Sequence, residues 1–152
     1  MRRIINISLP QPIKNFSSEE LWFFELDKKN IVISVEKMSN GKNVQGEDWH
    51  GDCVSPMAVD LQFNGGLGIE FPTLTLDDLG KLYDLLDLLW IDGVEYISPT
   101  FVSCSISSLR TSLEVLNIVR KEKFSKRCKL LGAHLEGPFI SPNVCGAHDL
   151  NA

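Results

Sequence analysis

From residue 57 onward the chain switches repeatedly between a strand-like and a helix-like hydrophobic period, and no other feature constrains its fold as tightly. The run AVDLQF at 58–63, closed by Asn64-Gly65-Gly66, reads as a short strand. Thr75 then precedes a helical stretch in which Asp77 and Asp78 suit the positive N-terminal end. Leu79, Leu82, Leu85, Leu86 and Leu89 make one stripe along it, and Asp92-Gly93 is the stop. A second strand is expected over 94–98, ended by Pro99-Thr100. A serine-rich entry follows, leading to a second helix whose apolar face includes Leu109, Leu113, Leu116 and Val119. A third strand is expected over 129–135. Strand, helix, strand, helix, strand predicts an α/β fold built on a parallel sheet. In such a sheet the carboxyl ends of the strands face one side, where ligands bind in open sheets and barrels alike. Gln62 and Asn64, Thr100, and Glu136 fall at those three ends.

Residues 1–55 have a different texture. The runs LWFFEL and IVISV, separated by Asp27-Lys28-Lys29-Asn30, read as a strand pair, and Ser39-Asn40-Gly41-Lys42 is a second turn signal. This is a small β element preceding the α/β portion of 56–152. Acidic side chains outnumber basic ones, 20 to 15, for a formal charge of -5, and the basic residues are scattered apart from the short run 120–129. That balance argues against nucleic acid as a partner. No apolar segment approaches the roughly 20 residues needed to cross a bilayer, and the run after Arg2-Arg3 is broken by Pro10 and Pro12, unlike a secretory leader. A cytoplasmic location with no membrane partner is expected. Cys53, Cys104, Cys128 and Cys145 form no C-x-x-C pair, and without a secretory signal they read as four free thiols, although their number would permit two disulfides.

The densest chemistry lies in HLEGPFISPNVCGAH at 134–148. For Glu136, a carboxylate at a strand end with Gly137-Pro138 fixing the backbone after it, two readings are open: a solvated loop residue, or a ligand for a divalent metal at a barrel mouth. His134, on the alternating strand, reads as a packed, hydrogen-bonded residue, and His50 as a surface one. Gln62 and Asn64 read equally as turn-capping amides. Cys145 has neither a nearby base nor a nucleophile elbow to make it a nucleophile.

VDLQFNGGLGIEF at 59–71, GVEYISPTFVS at 93–103 and LGAHLEGPFISPNVCGAH at 131–148 together resemble the amino-terminal part of the N-acetylglucosamine-6-phosphate deacetylases, within the amidohydrolase superfamily. The resemblance implies that 56–152 holds the first strands of a (β/α)8 barrel, and that 1–55 is part of a small β-sandwich completed from elsewhere. It also implies removal of the acetyl group from N-acetylglucosamine 6-phosphate, giving glucosamine 6-phosphate and acetate. Glu136 matches the family's metal-binding glutamate, while Ala147 and His148 match a loop that contacts the amino-sugar phosphate. Gln62 and Asn64 stand where many amidohydrolases carry a His-x-His pair, which is similar to members holding one metal; zinc leads, with iron, manganese or cobalt compatible. The family's two histidine ligands and catalytic aspartate come from later strands, so no catalytic residue is expected within this chain. Met57 and Val144-Cys145 depart from the family's glycine and basic residues. A truncated enzyme is therefore expected, missing a carboxyl-terminal part or completed as a homo-oligomer. The alternative is a non-catalytic relic or interaction protein needing a partner chain.

Overall fold

The computed structural model describes residues 1–10, 20–39, 43–137, 139–146 and 148. Two compact units divide it, Met1–Pro56 and Met57–Ala152. The turn signal at Asn40, Gly41 and Lys42 lies outside the described residues, as does Ala147.

In the first unit, strands β1 (Arg2–Ile7), β2 (Trp22–Leu26), β3 (Val32–Lys37) and β4 (Glu47–Asp48) form one sheet in the order β3-β2-β1-β4. The expected strand pair is β2 with β3, antiparallel, with Phe24 facing Val35. Asp27 builds its turn by accepting hydrogen bonds from the amides of Lys29 (2.7 Å) and Ile31 (2.9 Å), while Asn30 takes φ 60. Strand β1 was not legible in advance: RRIINI has little strand alternation, and it forms because β2 and β4 flank it, antiparallel and parallel. Ile4, Ile7, Phe24 and Leu26 are its buried centre.

The second unit is the α/β portion. Strand β5 (Ala58–Phe63) leads through the hairpin β6 (Gly65–Gly66) and β7 (Ile69–Glu70) to helix α1 (Leu79–Ile91), strand β8 (Val94–Phe101) and helix α2 (Ile106–Lys121). Short strands β9 (Lys129–Leu130) and β10 (His134–Leu135) follow. β8 is central, with β5 parallel on one side and β9 and β10 parallel on the other. Gly65 is required in the hairpin: at φ 140, a Cβ there would lie 2.0 Å from the Ile69 carbonyl oxygen. Among the described residues no helix is long and apolar enough to cross a membrane.

The α1 stripe packs as its spacing predicts, with Leu82, Leu85 and Leu86 buried and Leu79 and Leu89 at the margin. The helix begins later than Thr75, after a 3-10 turn (Leu76–Asp78) in which the Thr75 amide and hydroxyl both donate to the Asp78 carboxylate, at 3.0 and 2.8 Å. Those bonds hold the Asp78 carboxyl below its usual range. Helix α2 corrects the expected face. Val115, Leu116 and Val119 are buried, but Leu113 is exposed. The face is turned by the fully buried Ser112, whose hydroxyl donates to the Leu74 carbonyl at 3.2 Å. Behind α2, Arg127 chelates Asp87 of α1 (2.5 and 2.7 Å) while lying over the Tyr83 and Phe124 rings, so part of the basic run joins α1 to the chain after α2. All four cysteines are free; burial pushes the Cys128 thiol up to about 11.

Two strand boundaries also differ from expectation. β8 continues through Pro99 and Thr100 to Phe101, and the third strand is broken into β9 and β10. The cause is one irregularity. Tyr96 faces Lys129 and Thr100 faces His134, so four steps on β8 oppose five on the outer strand. That extra residue is a bulge. Pro99 has no N–H to give there, and the Ser98 hydroxyl donates instead, to the Gly132 carbonyl at 2.7 Å. β5 has its own extra residue: Asp60 faces Ile97 and Phe63 faces Pro99, three steps against two.

Candidate active site

Strand β8 separates its two faces by side-chain parity. Ile97, Pro99 and Phe101 are buried, with Ile97 and Phe101 in the core cluster that α1 and α2 also enter. Tyr96, Ser98 and Thr100 alternate to the other face. On that face Lys129 lies over the Tyr96 ring, and its ammonium also reaches Glu95 at 3.2 Å, where β8 carries an extra residue against β5. In parallel pairing, directly opposed residues share a face. Lys129 opposite Tyr96 and His134 opposite Thr100 are therefore on the same face although one number is odd and the other even, and the bulge causes that change of parity. Without it Glu136 would follow the parity of buried Leu130.

The carboxyl ends come together above Thr100. The Glu136 amide donates to the Phe101 carbonyl at 2.8 Å, which fixes its position at the strand end. β5 and β10 are both neighbours of β8, hence about 9.5 Å apart from each other. Only long side chains span that gap. Gln62 does so, its Nε2 donating to Glu136 Oε2 at 3.0 Å, and its own backbone is tied by donation to the Asp60 carboxylate at 2.9 Å. His148 approaches from the other direction, Nε2 lying 3.8 Å from Glu136 Oε1. That is ion-pair range and longer than a hydrogen bond.

Beneath these residues a second set of contacts holds them. Thr100 is 1% exposed; its hydroxyl meets His134 Nδ1 at 3.1 Å and donates to the Ser98 carbonyl at 3.3 Å. His134 is thus the packed, hydrogen-bonded histidine its strand position suggests. Ser103, just past β8, holds His148: its amide donates to His148 Nδ1 at 3.2 Å, and its hydroxyl lies 3.0 Å from the same nitrogen while donating to the Gly137 carbonyl at 3.2 Å. Gly137 adopts φ 67, and a Cβ there would meet Ile140 at 2.1 Å and the His148 ring at 3.1 Å. Glycine at that position lets the turn fold over onto the histidine.

Of the residues marked from sequence, Gln62, Glu136 and His148 are brought together. Asn64 is exposed, just before the hairpin, with no side-chain hydrogen bond among the described residues. His50 is exposed in the first unit, 3.4 Å from Asp48. Thr100 was marked only by its place at a strand end, and Ser98 and Ser103 not at all. Their roles depend on which strands lie beside β8, and a serine before a helix gives no local sign of a partner 45 positions away. Among the described residues no three His, Cys, Asp or Glu side chains cluster as a metal site would need.

No family model matches the chain. Among curated proteins it is 39% identical over 129 residues to the N-acetylglucosamine-6-phosphate deacetylase of Caenorhabditis elegans, a match covering 81% of this chain and 29% of that one. The Mus musculus enzyme of the same name is 30% identical over 134 residues, covering 86% of this chain and 31% of its own length. The chain thus spans about three-tenths of the curated relatives it matches. Among solved structures, the N-acetylglucosamine-6-phosphate deacetylase of Pasteurella multocida superimposes with a TM-score of 0.61 at 20% identity, over 99% of this chain and 38% of that one, a likeness of fold.

Proposed function

We infer function from the premise that this chain belongs to the N-acetylglucosamine-6-phosphate deacetylase family, whose amino-terminal part it matches. The reading proposed is hydrolysis of the N-acetyl group of an amino-sugar 6-phosphate, with Gln62, Glu136 and His148 contributing one side of the site. One observation carries it: those three side chains, separated by up to 86 positions, converge at the carboxyl ends of parallel strands. In this reading β5, β8 and the pair β9 and β10 are the first strands of a (β/α)8 barrel, and Met1–Pro56 is part of a β-sandwich. The apolar exposure of Val59 and Leu61 on β5 supports an enclosed face there.

Each residue has a part that its atoms permit. Gln62 spends an N–H on Glu136 and keeps its carbonyl oxygen as an acceptor for a sugar hydroxyl or the substrate amide N–H. Glu136 retains lone pairs on both oxygens. His148 and Ala147 lie in the loop proposed to meet the sugar phosphate, and Asn64 is proposed to hydrogen-bond substrate from the rim; Ala147 is outside the described residues. A single divalent ion, zinc or else iron, manganese or cobalt, is proposed as the family's cofactor with Glu136 as one ligand. Such an ion takes at least three protein ligands, and the described residues supply one carboxylate; they do not by themselves form the ion's site. Acid–base groups are likewise proposed to come from the remaining barrel or a second copy, in a cytoplasmic setting.

The experiment is titration of the 152-residue chain with N-acetylglucosamine 6-phosphate, following the Gln62 side-chain amide and His148 by NMR and acetate release in parallel. Saturable shifts at both residues are expected, with binding weakened about tenfold or more in Glu136→Gln, since hydrogen bonds to a charged group contribute roughly 1.5–3 kcal/mol. Absence of any shift sinks the substrate assignment. A second reading, a non-catalytic chain that binds a partner, draws on exposed Val59 and Leu61 along the edge strand β5. Saturable shifts accompanied by no acetate release from the chain favour it over an enzyme complete in these residues.

A further inference from the structure

We propose that Ser103 is a positioning residue that locks the neutral His148 imidazole in its Nε2–H form, so that His148 offers a hydrogen-bond donor beside Glu136. The inference rests on the substrate site proposed above but is carried by a separate observation. A backbone amide can only donate. The Ser103 amide is directed at His148 Nδ1 at 3.2 Å, so that nitrogen must present a lone pair, and in a neutral ring the proton then resides on Nε2.

Two further contacts support the lock. The Ser103 hydroxyl donates its proton to the Gly137 carbonyl at 3.2 Å, which ties the segment after β8 to the turn after Glu136 and so holds the Ser103 amide on Nδ1. The His148 side chain is only 10% exposed, and the φ 67 turn at Gly137 leaves no room for a Cβ against its ring. Rotation of the ring about its χ2 is thereby opposed from two sides.

The arrangement superficially suggests a serine nucleophile with a histidine base and a glutamate behind it. The geometry excludes that use in this conformation. The nitrogen near Ser103 Oγ already accepts from the Ser103 amide, and the hydroxyl proton has the Gly137 carbonyl as an acceptor, so no free base faces it. The lock also defines what His148 can bind: an Nε2–H donates to oxygen and cannot ligate a cation or abstract a proton. A phosphate or acyl oxygen fits it. A metal ion at that nitrogen does not.

The test is the nitrogen-15 spectrum of the imidazoles in the histidine-labelled 152-residue chain, assigned with His50→Gln and His134→Gln, at a pH where the rings are neutral. His148 is expected to show a protonated Nε2 and a bare Nδ1, with a through-hydrogen-bond coupling between Nδ1 and the Ser103 amide nitrogen. N-acetyl-histidine amide in the same buffer serves as the standard for an unrestrained ring, because His50 Nδ1 lies 3.4 Å from Asp48. Ser103→Ala keeps the backbone amide, so the Nε2–H pattern should persist in it, with a weaker coupling between Nδ1 and the amide once the hydroxyl tie to the Gly137 carbonyl is lost; Ser103→Thr should restore the coupling. Should the alanine variant fail to fold, Ser103→Cys, close in size and a much weaker donor, takes its place with the same expected weakening. A protonated Nδ1 in the unsubstituted chain overturns the proposal, as does a coupling to the Ser103 amide that is absent there or unchanged in Ser103→Ala or Ser103→Cys. Adding glucosamine 6-phosphate separates the two readings: if His148 shows the Nε2–H pattern but does not respond to the sugar phosphate, the lock stands and the substrate assignment fails.

Discussion

The two units stabilise a sheet by different means. In Met57–Ala152 one face of the sheet is covered by α1 and α2, and thirteen buried residues form a continuous cluster behind β8. In Met1–Pro56 the buried cluster numbers four among the described residues, and exposed polar pairs cross the strands on its surface: Arg2 with Glu47, Arg3 with Glu25, Asn6 with Asp48. Its strand β3 leaves Val32, Ile33 and Val35 exposed. A helix-backed sheet can assign its opposite face to chemistry, because the core is already complete on the covered side. A sheet with a small core has no comparable surplus, and its polar side chains pair with one another on the exposed surface, Arg2 with Glu47 and Asn30, and Asn6 with Asp48.

The largest effect that could break this contrast is loss of Phe71, which is fully buried between Phe63 and Phe101. Phe71→Ala should cost about 3–5 kcal/mol in denaturant titration. Ile7→Ala, equally buried but in the four-residue cluster, should lie near the lower end of the roughly 2–5 kcal/mol range for aliphatic truncation; equal losses would argue that the small cluster is as well packed as the large one.

Next in size is Gly65→Ala. A Cβ 2.0 Å from the Ile69 carbonyl at φ 140 forces the hairpin open, at a cost of about 1–3 kcal/mol. Hydrogen exchange should show lost protection at Gly66 and Ile69, and unaltered protection would show that the turn relaxes freely.

Arg127→Ala follows, at about 1–2 kcal/mol, from a half-exposed ion pair and two stacked rings. The hydrogen bond from Arg127 holds the Asp87 carboxyl below its usual range. The contribution is therefore present above the unfolded value of about 3.9 and is lost as pH falls through the lower folded value. Acid titration of the chain and Asp87→Asn should differ at neutral pH and converge in strong acid. A difference that persists undiminished into strong acid would contradict the pairing.

Smallest should be Arg2→Ala. Its pair with Glu47 is about half exposed on both sides, and the melting temperature should change little and become insensitive to the substitution at high salt. A large loss there would mean that the polar pairs, not the small cluster, hold the first unit together.

What the sequence determined on its own was whatever repeats at short range. The leucine spacing in α1, the Asp27 turn, and the alternation that makes β5, β8 and their helices a parallel α/β unit were all legible, because period and turn chemistry act within a few residues. So was the place of Glu136 at a strand end, from the apolar run before it. Only the tertiary structure decided that Leu113 faces outward, since a buried serine turned α2, and that Pro99 lies inside a strand, since a neighbouring hydroxyl donates where proline cannot. It also decided that Gln62 and His148 meet Glu136 and that Ser103 holds His148. Those pairings depend on the bulges that shift register beside β8. Register is a property of two strands together and is encoded in neither one alone.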